Sequence, residues 1–210
     1  PIDYTIEPRP LSKTNEEYIE HSVALGQKVA EECLARTGVR PEDVDALITV
    51  SCTGYMIPSM DAHLINRMGF RPDVRRMPFT ELGCVAGAMG LSRAADFLRA
   101  YRDAKALVIS VELPSLTFQR KDISQANLIS SVLFGDGAAA ALVNGAPGKG
   151  PRILATQSHT VPNTLKDLGF DLRDSGFHIV LSKELPELLK GEIRDLVGGF
   201  LEAHGVRREQ

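Results

Sequence analysis

Two short runs, Ala46-Leu47-Ile48-Thr49-Val50 and Ala106-Leu107-Val108-Ile109-Ser110-Val111, constrain this chain more than anything else in it. Each is apolar at nearly every position rather than at alternate ones. A strand of that kind is buried on both faces, and such strands belong to parallel sheets joined by helical crossovers. The surrounding sequence supplies the helices. Asn15 to about Arg36 carries Ile19, Val23, Val29, Ala30, Cys33 and Leu34 near helical spacing, with Thr14 or Asn15 as its cap and Gly38 as its end. Pro41-Glu42-Asp43 then makes a short turn into the first apolar run. Ser59 or Asp61 caps a helix through Met68, Val74 to Met77 is a second strand, and a further helix opens at Val85 and reaches about Tyr101. Helices alternating with strands predict an α/β fold with parallel crossovers.

Farther along, Ser124 to Ser131 reads as helix. The turn Gly135-Asp136-Gly137 leads into the small apolar strand Ala138 to Val143, which is expected to pair antiparallel. Gly145-Ala146-Pro147-Gly148-Lys149-Gly150 is a linker, dividing residues 1–150 from 151–210. Beyond it, Arg152 to His159 and Phe177 to Ser182 are expected strands, and Leu185 to Ala203 a helix. With 210 residues and 43% hydrophobic content, the chain can bury a sizeable core. A net charge of -3 with no basic stripe argues against nucleic acid as a partner. No apolar run approaches the ~18 residues a transmembrane helix needs, and no signal peptide is legible, so the cytoplasm is expected. The chain opens on Pro1 and closes on a polar helix exit, as part of a longer protein would.

Cys33, Cys52 and Cys84 form no CxxC pair and no Cys/His ligand cluster, which favours reduced thiols over disulfides or a zinc site. Cys84 stands apart from the other two. Arg75 to Gly83 reads as extended chain, and the helix begins immediately after the cysteine. The unpaired N–H groups of a helix start favour a thiolate, the nucleophilic form. Gly83 permits a sharp turn before the sulfur, while Ala86, Gly87, Ala88 and Gly90 keep the first helical turns slim. Local pattern alone leaves open a buried core cysteine, since free Cys is among the most buried residue types. The sheet's C-terminal edge argues for the nucleophile. There Ser51-Cys52-Thr53-Gly54-Tyr55, Cys84 and Glu112-Leu113-Pro114-Ser115 follow three successive strands, and ligands of α/β sheets bind at that edge.

Glu81-Leu82-Gly83-Cys84-Val85-Ala86-Gly87, with Ser51-Cys52-Thr53-Gly54 upstream and Leu133-Phe134-Gly135-Asp136-Gly137-Ala138-Ala139-Ala140 downstream, resembles the type III polyketide synthases, the chalcone and stilbene synthase family. Order and spacing agree along nearly the whole chain. The resemblance implies a thiolase-like layered α-β-α-β-α fold, of which this chain is the N-terminal half plus the start of the second, and a homodimer. It makes Cys84 the cysteine that takes an acyl group from coenzyme A. Phe134 and Phe177 become the two phenylalanines between acyl tunnel and cavity; Cys52, Glu112, Thr117 and Ser130 line the cavity or its floor; Ile57 reaches into the partner subunit's cavity.

The implied reaction is a decarboxylative Claisen condensation of malonyl-CoA onto an acyl-CoA starter, with no metal or redox cofactor. Long-chain alkylpyrone or alkylresorcinol formation and tetrahydroxynaphthalene formation both fit, a fatty acyl starter being the first expectation. The family completes its site with a histidine, followed by Pro-Gly, and an asparagine. None of His21, His63, His159, His178 and His204 is followed that way. Those residues are expected beyond Gln210, and part of the coenzyme A grip before Pro1. Two other readings share the fold: a ketoacyl-ACP synthase III of fatty acid synthesis, and a non-catalytic thiolase-like subunit.

Overall fold

The computed structural model describes residues 9–146, 148 and 150–207; Pro147 and Lys149 of the expected linker lie outside them. The first helix, α1, runs Leu11–Thr37, starting earlier than the sequence suggests because Pro10, with φ of -67°, occupies the N-cap. Thr14 and Asn15 therefore sit inside the helix. The Thr14 hydroxyl donates back to the Leu11 carbonyl at 3.1 Å, and the Asn15 amide is engaged with Tyr55. Gly38 ends α1 in the left-handed conformation at φ of 66°, where a side chain would be strained.

Then follow β1 (Ala46–Val50), α2 (Met60–Met68), β2 (Arg75–Phe79), α3 (Ala86–Ala100), β3 (Lys105–Glu112), α4 (Gln125–Leu133) and β4 (Gly137–Asn144). One four-stranded sheet has the order β2-β1-β3-β4. The first three strands are parallel and β4 runs antiparallel to β3, as the small apolar strand was expected to, although α4 separates the two in sequence. All five β1 residues are buried. Leu47, Leu107, Ile109 and Val111 face α1 and α2 and pack with Val23, Ala30, Leu34, Met60 and Leu64. Ala46, Ile48, Val50, Ala106 and Val108 face α3 and pack with Ala86, Ala94 and Leu98. This two-sided burial is what the unbroken apolar runs encode, and it produces three layers, helix on sheet on helix.

Close approach is needed at Gly90, where an added Cβ would lie 3.0 Å from Val108 Cγ1 and 3.4 Å from Val50 Cγ1. At Gly87 an added Cβ would meet nothing within 4 Å among the described residues. Strand β2 lies at the sheet edge, which accommodates Pro78. Arg76 reaches from it to the fully buried Asp61 at 2.7 Å, and Arg75 lies 4.2 Å over the Tyr101 ring. Ser59 holds the N-cap of α2, yet its hydroxyl serves Asp61 and Arg76 rather than the helix N–H groups. Ser124 does cap α4, accepting from the Asn127 N–H at 3.3 Å.

In the last third, β5 (Leu168–Arg173) and β6 (Gly176–Leu181) form an antiparallel hairpin across Asp174-Ser175, and α5 spans Leu185–Ala203. Two expectations change here. Arg152 to His159 is irregular and mostly exposed: its apolar residues Ile153 and Leu154 face outward, and a strand needs a ladder partner that the described residues do not offer it. Strand β5 was not expected, because Gly169 and Asp171 depress strand propensity; it forms through its pairing with β6 and the ring contact of Phe170 with Phe177. Among the described residues no helix is long and apolar enough to cross a membrane.

Candidate active site

Parallel pairing puts the C-terminal ends of β1, β2 and β3 on one edge of the sheet, with Val50 level with Phe79 and Ser110. Antiparallel β4 begins at that same edge, Gly137 opposite Glu112, so the Phe134-Gly135-Asp136 turn arrives there too. Four segments thus converge from positions far apart in sequence. After β2 the chain turns sharply: Glu81 and Gly83 both adopt positive φ, 64° and 60°. For glutamate that conformation costs on the order of 1 kcal/mol, which the surrounding turn must hold. Cys84 follows in a 3-10 turn, Gly83–Val85, that runs directly into α3.

The three cysteines differ sharply. Cys84 is exposed, so the buried-core reading fails for it. Cys33 is partly buried against the α1 side of the core, and burial pushes its thiol up. Cys52 is pushed up to about 12, by burial first and then by the charge of Glu112 and a hydrogen bond to it. The neighbouring Cys84 adds to that rise, and contact with the Gly83 backbone N–H opposes it. Cys52 is therefore a protonated thiol directly beside the Cys84 turn.

Glu112, ending β3, organises that floor. Its carboxylate accepts the Cys52 N–H at 3.0 and 3.1 Å, the Thr53 hydroxyl at 2.8 Å and the Ser51 hydroxyl at 3.5 Å. Thr53 Oγ1 in turn accepts the Leu113 N–H at 2.9 Å. The buried Tyr18 donates to Ser51 Oγ at 2.7 Å, and its phenol is pushed up to about 12, chiefly by burial. Its ring packs so tightly on Gly54 that an added Cβ would sit 2.2 Å from it. Ser51 and Thr53 belong to the loop motif that the sequence points to, whereas Tyr18 is not among the residues it singles out. Tyr18 reads there as one more apolar-face residue of a helix, and only the fold brings it to the loop after β1.

A neighbouring cavity of about 400 Å³ gathers Thr117, Ser130 and Phe134, together with Phe118, Phe170 and Ile179. The two hydroxyls are already committed, Thr117 to the Pro114 carbonyl at 2.8 Å and Ser130 to the Asn127 carbonyl at 2.9 Å, so both present a mildly polar wall. Asp136 pins the Gly-Asp-Gly turn to the cavity rim by accepting the Ser115 N–H at 2.9 Å and its hydroxyl at 2.6 Å. Cys84, Cys52 and Glu112 do not line this cavity. Phe177 is only 7% exposed and reaches it indirectly, packed edge-on against Phe170 at 5.6 Å; its other ring partner is Tyr55 rather than Phe134. Ile57 projects from its loop fully exposed. Of the histidines outside the main helices, His159 is exposed, and His178 meets Asp122 at 3.7 Å and Ser175 at 2.8 Å.

The site is thus a strand-turn-helix cysteine beside a carboxylate-tied loop, at the C-terminal edge of the sheet in a three-layer fold. Residues 5–147 match the family of chalcone and stilbene synthases, N-terminal domain. This chain belongs to the chalcone and stilbene synthase family. It is 40% identical over 200 residues to 1,3,6,8-tetrahydroxynaphthalene synthase of Streptomyces griseus, covering 94% of this chain and 54% of that protein. Phloroglucinol synthase of Pseudomonas fluorescens is 33% identical over 174 residues, covering 82% of this chain and 50% of its own length. A crystal structure of 1,3,6,8-tetrahydroxynaphthalene synthase from Streptomyces coelicolor, a bacterial type III polyketide synthase, matches with a TM-score of 0.95 at 35% identity, over 100% of this chain and 60% of that one. The family's thiolase-like fold is thus the fold of this chain, which spans about half the length of the curated relatives it matches.

Proposed function

We propose that this chain is the nucleophile-bearing part of a type III polyketide synthase, an acyltransferase that extends a Cys84-bound acyl thioester with malonyl-CoA. The position of Cys84 carries the reading. It is the exposed cysteine of the three, on a tight turn at a helix start, where the sheet edge gathers the loops after β1 and β3. Cys52, held protonated, is unsuited to the role.

In the first step the Cys84 thiolate attacks the acyl-CoA carbonyl and coenzyme A leaves as its thiolate, so the acyl group passes to Sγ. Malonyl-CoA then loses carbon dioxide, and the electron pair of the broken C–C bond becomes an enolate. Its carbon attacks the Cys84 thioester, forming the new C–C bond and releasing the Cys84 thiolate. The chain, two carbons longer, is now on coenzyme A. The enolate needs preorganised donors, which in this family are a histidine and an asparagine. The relatives are nearly twice as long as this chain, which leaves room for both. The steps balance without a metal or redox partner.

The cavity at Thr117, Ser130 and Phe134 suits a growing chain that is apolar with spaced carbonyls. Similarity to tetrahydroxynaphthalene synthases along nearly the whole chain supports a product of that type over the fatty acyl products first expected. The exposed Ile57 supports a homodimer, because an apolar loop tip is costly to leave in water and a twofold interface would bury it. Coenzyme A thioesters as substrates go with a cytoplasmic location. The test is condensation by the full-length protein with malonyl-CoA. Cys84→Ala should abolish product, while Cys33→Ala should retain it and lose on the order of 1 kcal/mol of packing. Product formed by Cys84→Ala would refute the assignment.

A further inference from the structure

The loop after β1 is tied down along its whole length. Cys52 and Thr53 are held by Glu112 at one end, and Ser59 by Asp61 and Arg76 at the other. In the middle, Asn15 of α1 grips the Tyr55 backbone twice. Asn15 Oδ1 accepts the Tyr55 N–H at 2.8 Å, and Asn15 Nδ2 donates to the Tyr55 carbonyl at 2.8 Å. The reversed amide would set donor against donor and acceptor against acceptor, so the partners fix its orientation. A side chain that satisfies both backbone groups of one residue holds that residue as a neighbouring strand would.

The ring that this clamp aims is the second part of the device. Tyr55 is 43% exposed, yet it stacks on Phe177 with centroids 5.7 Å apart and planes 21° from parallel. Phe177 has Phe170 at its edge, and Phe170 is a wall of the 400 Å³ cavity. Ile57, two residues after Tyr55, is the exposed tip of the same loop. From Asn15 to the cavity wall there is one unbroken sequence of contacts: amide, backbone, ring, ring, ring.

We propose that Asn15 and Tyr55 are positioning residues for the aromatic side of the substrate cavity: the Asn15 amide fixes the Tyr55 backbone, the Tyr55 ring fixes Phe177, and the loop bearing Ile57 thereby sets the space open to the growing chain. This rests on the reading of Phe177 as a residue that shapes the cavity, here through Phe170, and of Ile57 as the residue that meets a second copy. It adds that docking of Ile57 and the width of the cavity are mechanically linked through Tyr55. Neither Asn15 nor Tyr55 takes part in the chemistry, so acylation of Cys84 is expected to be independent of them.

The experiment uses the full-length protein with malonyl-CoA, alone and with a medium-chain acyl-CoA, and reads product chain lengths alongside the rate of Cys84 acylation. Tyr55→Phe keeps the ring and should give the wild-type product distribution. Tyr55→Ala removes the ring and should change the ratio of products several-fold while acylation stays within about twofold. Asn15→Asp keeps the acceptor but sets an anion against the Tyr55 carbonyl, and should shift products in the same direction. Tyr55→Ala combined with Phe177→Ala should go no further than Phe177→Ala alone, because both act through one ring. If Tyr55→Ala does not fold, Tyr55→Leu and Asn15→Asp carry the same comparison. Products unchanged in Tyr55→Ala but altered in Phe177→Ala would overturn the proposal and leave Phe177 acting on the cavity without Tyr55. Products unchanged in Phe177→Ala would overturn the underlying assignment instead.

Discussion

Raising the pH in the presence of an alkylating reagent should separate the cysteines, and the structure sets the size of the effect. Burial and Glu112 push the Cys52 thiol from its ordinary value of 9.0 to about 12. At pH 8 an ordinary thiol is roughly one-tenth ionised and Cys52 about one part in ten thousand, a deficit near three orders of magnitude. A more basic thiolate is intrinsically more nucleophilic, with a Brønsted slope of about 0.4–0.5, which restores somewhat more than one of them. Iodoacetamide should therefore label Cys52 roughly 40-fold more slowly than an unstructured thiol, from ionisation alone. Its labelling rate should climb tenfold per pH unit through pH 10 without levelling. The same shift bears on stability. Above pH 9 the unfolded chain loses the Cys52 proton while the folded one keeps it, so stability present below pH 9 is lost as the pH rises toward 12. Peptide mapping of timed, quenched samples gives each rate. Cys52 labelling as fast as a model thiol, or a rate that levels near pH 9, would refute the buried, carboxylate-paired floor.

Two other perturbations test packing and assembly. Gly90→Ala should destabilise by about 1–3 kcal/mol by forcing a Cβ against Val108 and Val50, whereas Gly87→Ala, which meets nothing, should stabilise by about 0.5–1 kcal/mol through helix propensity; paired denaturant titrations decide. If the chain's full-length protein dimerises as proposed, Ile57→Asp should leave the fold intact, weaken that dimer in size-exclusion with light scattering, and alter products together; a monomer with full condensing activity would remove both the proposed dimer and the shared cavity.

The legible parts of the fold were those written locally. Runs buried on both faces announce themselves in single-residue chemistry, so β1 and β3 fall where the apolar stretches lie, and Gly38 ends α1 as its backbone freedom allows. The placement of Cys84 on a turn at a helix start was legible because a strand, a glycine and a helix start are consecutive. Phe134, Thr117 and Ser130 came only through resemblance, yet the fold does bring them to one cavity. Harder to read were choices settled by tertiary partners. The Asn15 amide bonds a loop 40 residues away rather than capping its own helix. The Ser59 hydroxyl goes to the buried Asp61 and its ion-pair partner Arg76. Strand β5 exists because β6 pairs with it, and Arg152 to His159 lacks such a partner among the described residues. Tyr18, which underlies the floor of the site, carries no local signal at all.

The most direct measurement is the location of the acyl group. The full-length protein is incubated with an acyl-CoA in the absence of malonyl-CoA, digested at low pH to preserve thioesters, and mapped by mass spectrometry. The account predicts one acyl group on the peptide carrying Cys84, removable by hydroxylamine and absent in Cys84→Ala. Acyl label on Cys52 or Cys33 with Cys84 unmodified would contradict it.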